Sequence, residues 1–162
     1  MTNWTNSFFV ISLWLLSRLV IIITMQWMAP LIDNPPVNHS YPHLGFVPNY
    51  VPTTGWSLFS HWDGAWYRTI ATSGYGYTDG KYSNIAFFPL FPLLTRGVML
   101  LGFPFEVAGT LVNNLAFLGA LLILYRWVQE RHGTRTAKWA TAVLAWCPYS
   151  LFATVTYTEG LF

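Results

Sequence analysis

Two acidic residues lie in aromatic and apolar stretches of the chain, where an ionisable side chain needs a physical reason. Asp63 lies in the sequence HWDGAWYR at residues 61–68, and Glu159 lies in YTEGLF at residues 157–162. Ionisable groups close to lipid are costly and are often functional. An ionised carboxylate can accept the proton of an attacking hydroxyl group. Asp63 and Glu159 are therefore the candidate catalytic residues.

Cations and aromatic side chains near Asp63 are suited to a phosphorylated substrate. Three cations could neutralise a departing phosphate, which an arginine can bind through two hydrogen bonds: Arg68, Lys81 and Arg96. Four further side chains could contact a sugar or a lipid chain: His61, Trp62, Trp66 and Tyr67. An acid, cations and aromatic rings beside a membrane favour transfer of a group from a lipid-linked phosphate donor.

Each of these residues also has a structural interpretation. Asp63 could be a favourable charge at a helix N-terminus, which contributes about 0.3 to 1 kcal/mol. The tryptophans and Tyr67 could anchor the loop in the headgroup region, where such rings concentrate. Lys81 and Arg96 could bind lipid headgroups. Glu159 is harder to explain structurally, because its neighbours are largely apolar.

The composition indicates a membrane protein. The chain of 162 residues is 54% hydrophobic, 19% aromatic and 9% charged, whereas soluble domains average about 25% charged residues. The net charge of +2 and the lack of a basic run exclude nucleic acid as a partner. The single Cys147 permits no disulfide within the chain. The histidines lack the spacing of a zinc site, so residue spacing assigns no metal.

Hydropathy predicts an all-α integral membrane protein with three transmembrane helices. Each of three apolar runs is close to the length of about 20 residues that crosses a bilayer: 8–29, 107–128 and 138–156. Pro148 is expected to kink the third of these helices. Arg18 lies within the first run, at a cost of about 2.5 to 3.5 kcal/mol. We interpret Arg18 as snorkelling or as paired with a helix outside this chain. The alternative is contact with an anionic lipid head.

The predicted first external loop, residues 30–106, contains two helices that lie in the membrane interface. Tryptophans four residues apart predict the first helix over 60–73, and the second is a short, proline-started helix over 91–101. A membrane-crossing helix over 85–101 is the disfavoured alternative. It would put the basic loop described next on the same side of the membrane as Asp63.

Basic residues around the predicted loop 129–137 set the orientation in the membrane. The only acid in this loop is Glu130. Four cations lie in or beside it: Arg126, Arg131, Arg135 and Lys138. The positive-inside rule therefore predicts that the loop and the N-terminus are cytoplasmic. Residues 30–106 and 157–162 are then extracytoplasmic. Asp63 and Glu159 consequently face the same compartment, at a bacterial plasma membrane or an endoplasmic reticulum membrane.

Three motifs, in order along the chain, resemble the PIG-V mannosyltransferases and their bacterial relatives. They are HWDGAWY at 61–67, with IA and GY shortly after it, AFFPLFP at 86–92 and YTEGLF at 157–162. The last motif is similar to the YSESLF segment of that family. Gly160 stands where the family usually has serine, and we expect this change to be minor.

The resemblance implies a glycosyltransferase of the GT-C class, of which this chain is the N-terminal part. It implies a polyprenyl-phosphate or dolichyl-phosphate sugar as donor, with mannose as the sugar, and a lipid-linked or glycan acceptor. By the same resemblance Asp63 is the base, and Glu159 is a second acid near the acceptor or a divalent cation. The family has many more spans than three. We therefore expect the chain alone to be inactive and its C-terminal half to come from a longer or a separate chain.

Two other classes of protein are compatible with these observations. A noncatalytic membrane subunit, or a module that binds a lipid-linked sugar, is the main alternative, and the short chain favours it. Half of a transporter would usually show an internal repeat. The sequence contains no such repeat, which disfavours that class.

Overall fold

The described part of the chain is helical. The computed structural model describes residues 3–31, 55–60, 63–77 and 83–161, and these contain no strand. The α-helices are α1 (Asn3–Met28), α2 (Asp63–Ser73), α3 (Leu90–Met99) and α4 (Phe105–Trp146). Short 3₁₀ turns cover Ala29–Leu31, Trp56–Phe59, Asn84–Ala86 and Pro148–Leu151.

Two helical stretches are long and apolar enough to cross a membrane, Asn6–Leu31 and Phe105–Trp146. The second is not one straight rod, because Gly133 has a φ of +82° and a ψ of 167°. Glycine reaches this left-handed φ without the steric cost that a side chain would add. The turn divides α4 into two limbs. The predicted runs 107–128 and 138–156 begin on separate limbs of α4. The number of membrane crossings stays a prediction.

Both limbs of α4 pack against α1. The Arg18 guanidinium lies 4.8 Å from the centre of the Phe117 ring and 3.1 Å from the Ala145 carbonyl oxygen. In a straight helix Phe117 and Ala145 would be about 42 Å apart, at 1.5 Å per residue. The second limb therefore returns alongside the first. Val10 of α1 is fully buried in the core between them.

Arg18 is buried, with 3% of its surface exposed, and its partners belong to this chain. Its guanidinium donates to the carbonyl oxygens of Ala145 and Ser150 and to the hydroxyls of Ser150 and Thr154, at 2.6 to 3.1 Å. Carbonyl groups at a helix C-terminus lack partners within the helix, and a cation there is favourable. The interpretation of Arg18 as snorkelling or paired with an outside helix is therefore wrong, and so is the lipid-head alternative.

The helix of the third apolar run breaks near Pro148, where a kink was predicted, but it does not continue to residue 156. The second limb of α4 ends at Trp146, and a 3₁₀ turn begins at Pro148. Proline has no N–H to donate and disrupts a helix interior. The chain after this turn packs beside the first limb instead of extending the helix to residue 156. Asn113 of α4 hydrogen-bonds the carbonyl oxygens of Phe152 and Val155.

Helices α2 and α3 form a second core with the start of α4. Tyr67, Ala71, Phe91 and Phe105 are buried together there. The helices coincide closely with the predicted segments 60–73 and 91–101, and their location in the membrane interface stays a prediction. The outer side of α3 and the turn after it are apolar and exposed: Leu90, Leu93, Leu94, Leu100 and Leu101. Such a surface suits lipid contact.

Candidate functional site

Asp63 opens helix α2, and its side chain is exposed. An acid in the first turn is favourable because it faces the positive end of the helix dipole. Tyr67 follows one turn later and is buried, with its ring edge-on to Phe87 and Phe91 at centroid distances of 5.1 Å each. This packing fixes the Tyr67 ring beside the turn of helix that carries Asp63.

The segment that carries Glu159 lies against the same turn of α2. The Thr156 amide donates a hydrogen bond of 2.8 Å to the Phe59 carbonyl oxygen, just before α2 begins. Gly64 allows this approach, since a Cβ atom at residue 64 would lie 2.5 Å from Thr156 Oγ1. The structure thus brings together two motifs that are separated in the chain by the whole of α3 and α4. Glu159 is exposed, as Asp63 is.

Two tyrosines connect the segments that carry the two acids. The Tyr67 hydroxyl lies close to the Thr158 side chain, and the Tyr157 hydroxyl lies close to the Asp63 backbone. Burial raises the pKa of Tyr67, and burial raises the pKa of Tyr157 to about 12. The carboxylates of Asp63 and Glu159 raise both pKa values further, because a second negative charge nearby is unfavourable. Both phenols are therefore neutral at physiological pH, beside two exposed carboxylates.

Arg68 forms an ion pair with Glu106, a residue that was not among the predicted site residues. Arg68 Nη1 lies 2.8 Å from Glu106 Oε1, and their side chains are 38% and 13% exposed. Glu106 lies in the first turn of α4, one residue after the buried Phe105. The sequence feature that could have pointed to Glu106 is its position two residues after Pro104. A proline followed by an acid occurs at many ordinary helix starts, so this feature does not single out a site residue. The pair joins α2 to α4 and holds Arg68 on the helix that carries Asp63.

The other predicted substrate residues are placed differently. Trp66 is half-buried and its ring stacks on Phe87 at a centroid distance of 5.8 Å, so this face of the ring supports the fold. Arg96 is exposed in the last turn of α3, on a different helix from Asp63. His61, Trp62 and Lys81 lie outside the described residues.

The described residues include no group of three or more His, Cys, Asp or Glu side chains that could hold a metal ion. Glu106 near α2 is paired with Arg68, whereas Asp63 and Glu159 are exposed acids with neutral tyrosines beside them. Their chemistry suits acceptance of hydroxyl protons, since ionised carboxylates accept hydrogen bonds and cannot donate them. A polyhydroxylated ligand matches this set of groups.

These features define a class of protein: a helical membrane protein with an acid-bearing surface beside its apolar helices. Comparison with known proteins gives the family. Residues 4–162 match the family described as Mannosyltransferase (PIG-V), and the chain belongs to that family. The resemblance inferred from the three motifs is thereby confirmed.

A curated relative agrees with the family. GPI mannosyltransferase 2 of Drosophila pseudoobscura pseudoobscura is 30% identical over 114 residues, which are 63% of this chain and 24% of the relative. The chain thus spans about a quarter of the length of that relative. No solved structure matches the chain significantly.

Proposed function

We propose that the protein acts in the transfer of mannose from a polyprenyl-phosphate or dolichyl-phosphate donor to a lipid-linked or glycan acceptor. The observation that carries the proposal is that the segment with Asp63 and the segment with Glu159 lie together around Tyr67 and Tyr157. The chain that places them there belongs to the mannosyltransferase family. The name of the curated relative supports the sugar and a lipid-anchored acceptor. The reaction takes place at the extracytoplasmic face, to which the positive-inside rule assigns both acids.

In the proposed reaction Asp63 is the general base. The acceptor oxygen bonds to the anomeric carbon of the sugar while the bond from that carbon to the phosphate oxygen breaks. The lipid phosphate leaves with the electron pair, and Asp63 takes the proton of the acceptor hydroxyl. Asp63 is suited to this because its side chain is exposed at the start of α2. A positioned base typically contributes about 10² to 10⁴ in rate.

Glu159 orients the acceptor in this proposal. Its exposed carboxylate can accept hydrogen bonds from a second hydroxyl of a sugar. Tyr67 and Tyr157 stay neutral beside the acids, because burial raises the pKa of both hydroxyls. Neutral phenols add no negative charge that would repel the donor phosphate.

Arg68 contacts the donor phosphate in the proposal, and Arg96 and Lys81 are further candidate cations for it. Arg68 is partly exposed and is held by Glu106, so its guanidinium has a defined position on α2. Charge-assisted hydrogen bonds from arginine to phosphate are short and strong. They stabilise the negative charge that develops on the departing lipid phosphate.

The decisive experiment replaces Asp63 with Asn in the longest native form of the protein, in membranes supplied with a radiolabelled mannosyl lipid phosphate. Asp63→Asn keeps the shape of the side chain and removes the base. We expect turnover to fall by about 10² to 10⁴, with unchanged membrane insertion. Glu130→Gln, which changes an exposed acid near Gly133, is the matched control and should transfer sugar normally. Near-normal transfer by well-expressed Asp63→Asn protein returns Asp63 to a structural role.

A further inference from the structure

One buried amide holds both ends of the short stretch that carries Glu159. Asn113 is fully buried in α4, and its Nδ2 donates to the carbonyl oxygens of Phe152 at 2.7 Å and Val155 at 2.8 Å. Its Oδ1 accepts a hydrogen bond of 2.7 Å from the Gly160 amide. An asparagine amide has two N–H donors, so both donors are used. The carboxamide therefore has one defined orientation, with three backbone partners.

The backbone of Gly160 packs directly against Asn113. A Cβ atom at residue 160 would collide with Oδ1 of Asn113 and with its backbone carbonyl oxygen. The expectation that glycine in place of serine is a minor change is therefore wrong for this chain. A side chain at this position would push the segment away from α4. Close packing of the Gly160 backbone on Asn113 is a specific feature of how this segment docks.

The two anchor points lie on either side of Glu159. Val155 precedes it and Gly160 follows it directly, so the hydrogen bonds of Asn113 limit how far the intervening residues can move. Thr158 lies in the same stretch, and its side chain is close to the Tyr67 hydroxyl of α2. Asn113 is buried whereas Glu159 is exposed. An influence of Asn113 on Glu159 must therefore pass through the backbone of this stretch.

We propose that Asn113 is a positioning residue that holds Glu159 beside Asp63 for sugar transfer. The proposal rests on the proposed function, because it gives the Asn113 amide a role through the acceptor-orienting acid. Misplacement of a catalytic group by about 1 Å can cost about 10²-fold in rate. A loosened anchor one residue from Glu159 is sufficient for such a displacement. The effect falls on turnover, since Arg68, which is proposed to bind the donor phosphate, is held by Glu106 and not by Asn113.

The first test compares Asn113→Ala with Asn114→Ala in the longest native form of the protein. Asn114 is the matched control because it is also buried in α4 and its shorter hydrogen bond stays within its own helix, from Nδ2 to the Thr110 carbonyl oxygen at 2.7 Å, whereas its bond to the Thr154 carbonyl oxygen is 3.4 Å long. We expect Asn113→Ala to lower kcat by about 10- to 100-fold with little change in donor KM. Asn114→Ala should keep kcat within about threefold of the parent, by the same reasoning. Equal losses of kcat in the two variants overturn the proposal.

The second test repeats Asn113→Ala in a Glu159→Gln background. If Asn113 acts through Glu159, adding Asn113→Ala to the Glu159→Gln protein lowers kcat little further. A general structural role lowers kcat by the same factor in both backgrounds, and that result contradicts the proposal. Gly160→Ser should resemble Asn113→Ala, because its side chain displaces the same stretch.

A measurement without activity separates this inference from the proposed function. Spin labels on cysteines at Thr72 and Glu159, both exposed, report the distance from α2 to the Glu159 stretch. Other cysteines, including Cys147, are replaced by serine. We expect a narrow distance distribution in the parent and in Asn114→Ala, and a broad one in Asn113→Ala. A distribution that stays narrow in Asn113→Ala overturns the positioning role. Normal transfer by Glu159→Gln instead refutes only the catalytic role proposed for that acid.

Discussion

The backbone amide of Thr156 donates a hydrogen bond of 2.8 Å to the carbonyl oxygen of Phe59. This bond ties the chain just before Asp63 to the chain just before Glu159. Two glycines admit Thr156 at this point: Cβ atoms at Gly64 and Gly109 would lie 2.5 Å and 3.0 Å from its side-chain atoms. The two acid-bearing motifs therefore meet through backbone contacts that exist without a substrate.

Gly64→Ala should destabilise the protein. The added methyl group would lie 2.5 Å from Thr156 Oγ1 and 3.1 Å from Ser60 Oγ. Overpacking of this kind costs about 1 to 3 kcal/mol. We expect a lower midpoint of thermal unfolding in detergent, together with reduced sugar transfer, because the two motifs are pushed apart.

Gly76→Ala is the control for that substitution, since no atom lies within 4 Å of its Cβ position. It should unfold at the parent temperature. Thr156→Ala removes the nearest clashing atom and should recover part of the stability lost in Gly64→Ala. Equal unfolding temperatures for Gly64→Ala and Gly76→Ala would contradict the close packing of Thr156 on α2.

Arg18→Met should destabilise the helix pair strongly. It removes the four buried hydrogen bonds that the guanidinium makes to the carbonyl oxygens of Ala145 and Ser150 and to the hydroxyls of Ser150 and Thr154. A hydrogen bond to a charged group contributes about 1.5 to 3 kcal/mol. Arg18→Lys should be intermediate, because an ammonium group cannot reproduce the forked geometry of guanidinium. Thermal unfolding in detergent measures both variants.

Arg131→Met is the matched control for Arg18. Arg131 is exposed and lies over the Trp127 ring at 4.9 Å. Exposed cation–aromatic contacts contribute about 0.5 to 1 kcal/mol. A loss of stability in Arg131→Met as large as that in Arg18→Met would show that the buried hydrogen bonds of Arg18 are unimportant.

Arg68→Ala should raise the apparent KM for the donor or lower turnover, because the donor phosphate loses a charge-assisted hydrogen bond. Such a bond contributes about 1.5 to 3 kcal/mol, which is about 10- to 100-fold in kcat/KM. Glu106→Gln should have a smaller effect in the same direction, since it keeps Arg68 but weakens the contact that holds it. Arg96→Ala tests the second cation. Unchanged donor kinetics in both arginine variants would leave these residues as partners of lipid headgroups.

Cysteine labelling tests the orientation in the membrane. We expect a membrane-impermeant maleimide added from outside to modify cysteines at positions 38 and 81, both outside the described residues. It should spare a cysteine in place of Thr136, an exposed residue near the Gly133 turn. The basis is the cluster of basic residues around that turn. Permeabilised membranes provide the control, and outside labelling at position 136 in sealed membranes would reverse the assigned sides.

The sequence by itself determined the features that depend on local patterns. Long apolar runs predicted α1 and the two limbs of α4, and the spacing of tryptophans and prolines predicted helices α2 and α3. Motif order identified the family, because the HWDGAWY, AFFPLFP and YTEGLF segments are contiguous stretches of chain. Hydropathy, helical periodicity and short motifs can be recognised without knowing which distant residues are neighbours.

The tertiary structure decided which residues act together. Arg18 with Ala145, Arg68 with Glu106 and Asn113 with Gly160 are pairs from distant parts of the chain. Their side chains could have met many other partners, and nothing in the spacing of residues selects these. The turn at Gly133 folds α4 back on itself, and the helix then ends before Pro148. The tight contacts of Thr156 with Gly64 and Gly109 place the YTEGLF segment beside α2. Contacts between distant residues depend on how complete surfaces fit, and local sequence carries no such information.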